Sequence, residues 1–181
     1  VFCDAPIDHL LKRAQEITTT QSISVVGGPF SAQIVERIRE KIGSKIKLKV
    51  TLTKTWDEYT AAIKESSNNF DAVWPLAPFG VTLSDGKWVE PHQFESLLGS
   101  LNTFTFGYAK LQNDNFPPTI SMNIEASDLG SNAADVAFKY IRGEKKPGIK
   151  EFVSYSLRIS KKSLSKLNLN LPDKLISFLV Y

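Results

Sequence analysis

The spacing of apolar residues switches repeatedly between 3.6 and two along this chain, and that alternation constrains the fold more than any other feature. Ile7, Leu10, Leu11, Ala14 and Ile17 recur at helical spacing, with Pro6 suited to a first turn, which predicts a helix over 6–17. A β-branched run at 22–26 ends in Gly27-Gly28 and reads as a buried strand. Residues 29–42 return to helical spacing through Ile34, Val35, Ile38 and Ile42, with Gly43 as the stop. Ile46, Leu48, Val50 and Leu52 alternate with polar residues across 45–53, the mark of a half-exposed strand. Thr55 opens a helix over 56–66 with Glu58 at capping-box distance, and 70–76 is the next buried strand.

The second half continues the alternation. A polar connection at 80–91 holds Asp85-Gly86, a turn signal suited to a small hairpin. A helix at 94–101, strands at 102–108 and 119–124, and a helix at 128–142 closed by Gly143 follow. A strand at 152–159 and short helical stretches at 161–167 and 172–180 complete the chain. Strands separated by helices require crossover connections, so the expected class is α/β: a Rossmann-like three-layer sandwich with a mainly parallel sheet.

Composition narrows the partners. With 42% hydrophobic and 23% charged residues, disordered, collagen-like and coiled-coil chains drop out. A net charge of +3 is too mild to point to nucleic acid. No apolar run approaches the length of a membrane span. The single cysteine, Cys3, excludes an internal disulfide and a Cys-based zinc site, and reads as a small buried hydrophobe. A chain that starts at Val1 rather than Met reads as a processed or truncated product.

In open α/β sheets ligands bind beyond the carboxyl ends of the strands, which selects three loops. In the first, Gly27 and Gly28 allow close backbone approach, and the amides of Phe30 and Ser31 at a helix start would suit an anion. A plain strand-to-helix turn is the alternative. In the second, Trp74, Leu76 and Phe79 stand among prolines, either as a stiff apolar ligand wall or as packing under the next helix. In the third, Tyr108 offers a ring and a hydroxyl beside Gly107, with a role as a core aromatic at the sheet edge equally open.

Catalytic patterns are weak by comparison. His9 and His92 lie on different elements, and Glu90 and Glu95 near His92 complete no metal set. The chain has no Gly-x-Ser-x-Gly elbow and no phosphate loop closed by Lys-Ser/Thr. Asp71 begins a strand rather than ending one, and Lys145-Lys146 and Lys161-Lys162 read as solvated faces near helix ends. No cofactor and no metal are expected.

Several stretches together carry a family resemblance: Asp71-Ala72-Val73-Trp74-Pro75-Leu76, then Asp85-Gly86-Lys87-Trp88-Val89-Glu90-Pro91-His92, then Thr103-Phe104-Thr105-Phe106-Gly107-Tyr108. Asp128-Leu129-Gly130, the paired Ala133-Ala134, the exit Gly143-Glu144-Lys145-Lys146-Pro147 and the finish Leu171-Pro172-Asp173-Lys174-Leu175 extend it. The chain from Ser22 onward resembles the second lobe of ABC-transporter substrate-binding proteins related to tryptophan and tyrosine uptake. The resemblance implies one lobe of a type I periplasmic-binding-protein fold, in which two lobes close on a ligand about a hinge. Residues 1–118 would form the ligand-facing lobe core, and 119–181 the return and carboxyl-terminal segments that contact the first lobe.

The implied function is non-enzymatic: extracytoplasmic or periplasmic capture of a small organic ligand, such as an aromatic amino acid, for a membrane permease. Related domains imply an alternative, the sensor domain of a membrane signalling protein; a flavodoxin-like enzyme is the alternative of a different class. Gly28, Phe30, Ser31, Trp74, Leu76, Phe79 and Tyr108 are the expected ligand contacts. The loop 27–31 departs from the Asn- and Ser-rich segment of many relatives, so ligand identity does not carry over. With the first lobe outside this chain, Ile124, Leu129, Val136, Ala137 and Tyr140 need another cover: either their helix folds onto this sheet, or a second copy in a homodimer supplies it.

Overall fold

The computed structural model describes residues 7–44, 46–108, 118–124, 126–144 and 155–180. It alternates as the periodicity predicts: α1 (Ile7–Ile17), β1 (Ser22–Gly27), α2 (Ala32–Ile42), β2 (Lys47–Leu52), α3 (Trp56–Asn69) and β3 (Ala72–Pro75). Then come α4 (Pro91–Ser100), β4 (Phe104–Tyr108), β5 (Ile120–Ile124), α5 (Ala126–Ile141), β6 (Tyr155–Ser160), α6 (Lys161–Lys166) and β7 (Leu179–Val180). The strands form one seven-stranded sheet in the order β2-β1-β3-β4-β5-β6-β7. Every neighbouring pair is parallel except β5 and β6. This is an α/β three-layer fold.

Local chemistry explains where elements begin. Thr55 caps α3 as its spacing predicts: its side chain accepts from the Glu58 amide at 3.3 Å, and the Glu58 carboxylate accepts from the amides of Lys54 and Thr55. Those amides hold Glu58 below the usual carboxylate range. At the amino edge of the sheet, one Asp71 oxygen accepts from the Gln21 and Ser22 amides and the Ser22 hydroxyl at 2.8–2.9 Å. It thereby ties the start of β3 to the start of β1. Asp71 is a strand anchor at the end of the sheet remote from the loops selected above.

Two predicted elements differ in detail. Residues 29–42 divide into a 3-10 turn, Pro29–Ser31, and α2, because the Ser31 amide bonds back three residues to the Gly28 carbonyl at 3.0 Å. Residues 172–180 form a 3-10 segment, Asp173–Phe178, and then β7 rather than a continuous helix. Strand β7 forms because Leu179 and Val180 find a parallel partner in Ile159 and Ser160.

Strand alternation sorts the core into two layers. Ile23, Val25, Ala72, Trp74, Phe104 and Phe106 face the layer made by α1 and α2. Val26 and Val73 face the other, where Tyr59 and Ile63 of α3 meet Phe94, Leu97 and Leu98 of α4. The later segments join the first layer through Ile120, Met122, Leu157, Ile159, Leu164 and Leu175, so the tail shares one core with the first half. Thr105 and Thr119 lock β4 to the start of β5 by reciprocal bonds from each amide to the other's hydroxyl, 3.1 and 3.0 Å.

Helix α5 is the exception to burial. Ala137, Phe138, Tyr140 and Ile141 are all exposed on it. Ile124 stands opposite Tyr155 in the antiparallel pair, so the chain leaves the sheet and returns to it at the carboxyl end of β5. The side chains of Ile124, Leu129 and Val136 lie outside the described residues, as do Cys3, Pro6, Lys145, Lys146 and the predicted start of β6 at 152–154.

Candidate functional site

The carboxyl edge of β1 and β3 carries a concave apolar surface. After β3, the Leu76 amide bonds the Val26 carbonyl at 2.8 Å, holding the chain against β1 for one more residue. The loop then tightens: the Phe79 amide bonds Ala77 at 2.7 Å, the Val81 amide bonds Pro78 at 3.1 Å, and Gly80 takes φ +81°, where a side chain is strained. The Phe30 ring lies over Gly80, so the turn after β1 and the loop after β3 touch there.

The next segment folds back as the Asp85-Gly86 signal predicts. Thr82 bridges antiparallel to Trp88, the Leu83 amide bonds the Lys87 carbonyl at 2.8 Å, and Gly86 takes φ +82° in the turn. Lys87 pairs with Asp85 at 2.8 Å, and this contact holds the Asp85 carboxyl below its ordinary range. The hairpin also joins α3, since the Trp56 amide donates to Thr82 O and the Thr82 amide to Lys54 O. It delivers Trp88 to the rim. The chain then enters α4, where the Gln93 side chain accepts from the Glu90 amide at 2.9 Å.

These pieces enclose a cavity of about 370 Å³, within the size range of small-molecule sites. Phe30, Phe79 and Trp88 form its exposed rim, at 73%, 57% and 61% accessibility, and the buried Phe94 forms its floor. Val89 and Glu90 add to the wall, and among the described residues Glu90 is the one ionisable side chain in the lining. Below the floor, Phe94 meets Tyr59 edge-on at 6.1 Å, and the Tyr59 hydroxyl donates to Leu76 O at 2.6 Å. Burial pushes the Tyr59 phenol well above its ordinary value, so it remains a neutral donor that pins the loop.

The structure brings together Phe30 and Phe79 among the residues the sequence selects, and corrects others. Trp74 is fully buried, because its strand position points it at the α1–α2 layer, where it stacks on Phe106 at 5.1 Å. It is a core residue and walls no ligand here. Leu76 is buried in the same layer. Ser31 is buried too, with its side chain over Gly27 and its amide spent on Gly28, so it offers neither group to an anion. Gly28 does serve close backbone approach, but the approaching group is the Phe79 carbonyl rather than a ligand. Tyr108 pairs with Met122 across β4 and β5, and its side chain lies outside the described residues.

Trp88, Val89, Glu90 and Phe94 are site residues that periodicity does not reveal. The available signal is the turn at Asp85-Gly86, which implies that the residues after it return toward the sheet edge. Both histidines are exposed, and His9 meets Tyr155 edge-on at 5.9 Å. Among the described residues no three His, Cys, Asp or Glu side chains gather where a metal could sit.

No protein-family model and no curated protein matches the chain. Several solved structures share its fold, among them two that match nearly the whole chain. One is described as an ABC domain in complex with L-Trp from Streptococcus pneumonia, with 14% identity and a TM-score of 0.70. The other is described as a conserved domain protein from Vibrio cholerae O1 biovar El Tor, with 17% identity and a TM-score of 0.67. Each match covers 97% of this chain and 60% of the other, so the chain spans about three fifths of their length. At such identities the likeness establishes the fold alone, the α/β three-layer arrangement that these structures share with the chain.

Proposed function

We propose that this chain is the ligand-facing lobe of an extracytoplasmic solute-binding protein, which captures a small organic molecule and passes it to a membrane permease. The observation that carries this reading is the aromatic cavity at the carboxyl edge, rimmed by Phe30, Phe79 and Trp88. Three large rings left open to water at one concave place are costly unless a ligand or a second body covers them. The L-Trp bound to the Streptococcus structure supports a small ligand with an aromatic body and an ammonium group, and an aromatic amino acid or amine is the proposed first candidate.

The geometry supports capture. The rings are carried on short loops pinned to the sheet by the bonds of Leu76, Tyr59 and Thr82, so the wall is pre-formed and little order is lost on binding. The exposed Phe138, Tyr140 and Ile141 of α5 extend apolar surface on the segment that leaves from the same edge. A second lobe, or a second copy of this chain, docked along that edge would enclose the ligand from the far side.

Thermal shift and calorimetry with L-amino acids and small organic acids test the proposal. Binding to the native chain raises its melting temperature by mass action, and Trp88→Ala removes the effect. A ligand that binds Trp88→Ala as tightly as the parent protein overturns the site.

A further inference from the structure

Resting on that reading, we infer that the cavity selects an organic cation: a ligand with an aromatic or alkyl body and an ammonium group set among Phe30, Trp88 and Glu90.

Three observations carry the charge assignment. First, the rim is aromatic, with Phe30, Phe79 and Trp88 open to the cavity, and ring faces attract a cation held within about 6 Å. Second, among the described residues the only ionisable one in the lining is the carboxylate Glu90, with no Lys or Arg beside it. The basic residue next to Trp88 in sequence, Lys87, is engaged by Asp85. Third, four backbone amides of the two loops beside the cavity are committed within those loops. The amides of Ser31, Leu76, Phe79 and Val81 bond Gly28, Val26, Ala77 and Pro78 respectively. A carboxylate placed here would meet Glu90 with none of those four amides to receive it. An ammonium meets a carboxylate and ring faces.

Three probes that share a phenyl ring separate charge from shape: 2-phenylethylamine, 2-phenylethanol and phenylacetate, each titrated into the 181-residue chain by calorimetry. The amine binds about five- to tenfold more tightly than the alcohol, phenylacetate binds most weakly, and added salt narrows the spread. Glu90→Gln weakens the amine several-fold more than the alcohol. Glu90 and Gln93 form the capping box of α4. The variant keeps both the backbone amide that Gln93 accepts and a side-chain carbonyl that can accept from the Gln93 amide, so α4 retains its start, which a thermal melt verifies. Trp88→Leu, which keeps apolar bulk but removes the indole face, weakens the amine more than the alcohol. Equal affinities for amine and alcohol, or tighter phenylacetate, overturn the cation assignment while the aromatic-pocket reading stands. If none of the three binds, the pocket reading fails and the assignment fails with it.

Discussion

The carbonyl oxygen of Phe79 occupies the space that a side chain at Gly28 would fill, which brings the loop after β3 directly against the turn after β1. Gly28 has ordinary extended backbone angles, φ −85° and ψ 177°, so glycine is required there for space and not for conformation. Its absent Cβ sets the distance between the Phe30 and Phe79 arms of the cavity.

Gly28→Ala should therefore destabilise the protein by roughly 1–3 kcal/mol, the usual cost of forcing atoms into a packed site. Gly130→Ala is the control. Gly130 lies in α5 with open space around its Cβ position, and alanine there should add up to about 1 kcal/mol through helix propensity. Chemical denaturation of both variants checks the contrast; equal effects would refute the steric account of Gly28.

Trp74 and Trp88 should separate stability from binding. Trp74→Ala empties a fully buried position stacked on Phe106 and should cost about 3–5 kcal/mol. Trp88→Ala removes an exposed rim ring and should change stability by about 0.5 kcal/mol or less, while weakening ligand binding tenfold or more. Melting curves beside binding isotherms read both quantities.

Tyr59→Phe tests the support beneath the site. It deletes the buried donor to Leu76 O and leaves that carbonyl short of a partner, at a cost of about 1–2 kcal/mol. Hydrogen exchange at residues 76–81 should accelerate in the variant, because the loop loses its tie to α3. Unchanged exchange would mean that the Val26 bond alone holds the loop.

Asp71 should contribute to the acid limb of stability. The Ser22 hydroxyl, then the amides of Gln21 and Ser22, hold its carboxyl below the ordinary range. The unfolded chain then binds more protons near that range, so the contribution is complete above the unfolded value and is lost as pH falls toward the folded value. Solvent exposure limits it, and Asp71→Asn should cost about 1–2 kcal/mol at neutral pH and flatten the decline in acid. Denaturation midpoints measured from neutral pH down to strongly acid conditions for both proteins check the sign.

The fold was largely legible because its elements are local in origin. The capping pair Thr55 and Glu58, the Gly43 stop and the period-two run of β2 each act within a few residues. The site was legible in part. The rule that ligands lie beyond strand ends selected the loops holding Phe30 and Phe79, and the Asp85-Gly86 turn was readable as a hairpin. Trp74 and Leu76 misled because an aromatic or leucine at the end of a buried strand has the same sequence signature whether it faces a cavity or a helix layer.

By itself, then, the sequence determined the α/β class, the order of its helices and strands, and the loops that end at the carboxyl edge. Periodicity and capping act over one or two turns of chain and survive without tertiary context. Only the folded structure decided which side chains line the cavity. That choice depends on which sheet face α1 and α2 cover, on the missing Cβ of Gly28 admitting the Phe79 carbonyl, and on a hairpin that carries Trp88 back across the edge. Each is a contact between segments far apart in sequence, where packing and excluded volume select one arrangement from several that the local pattern allows equally.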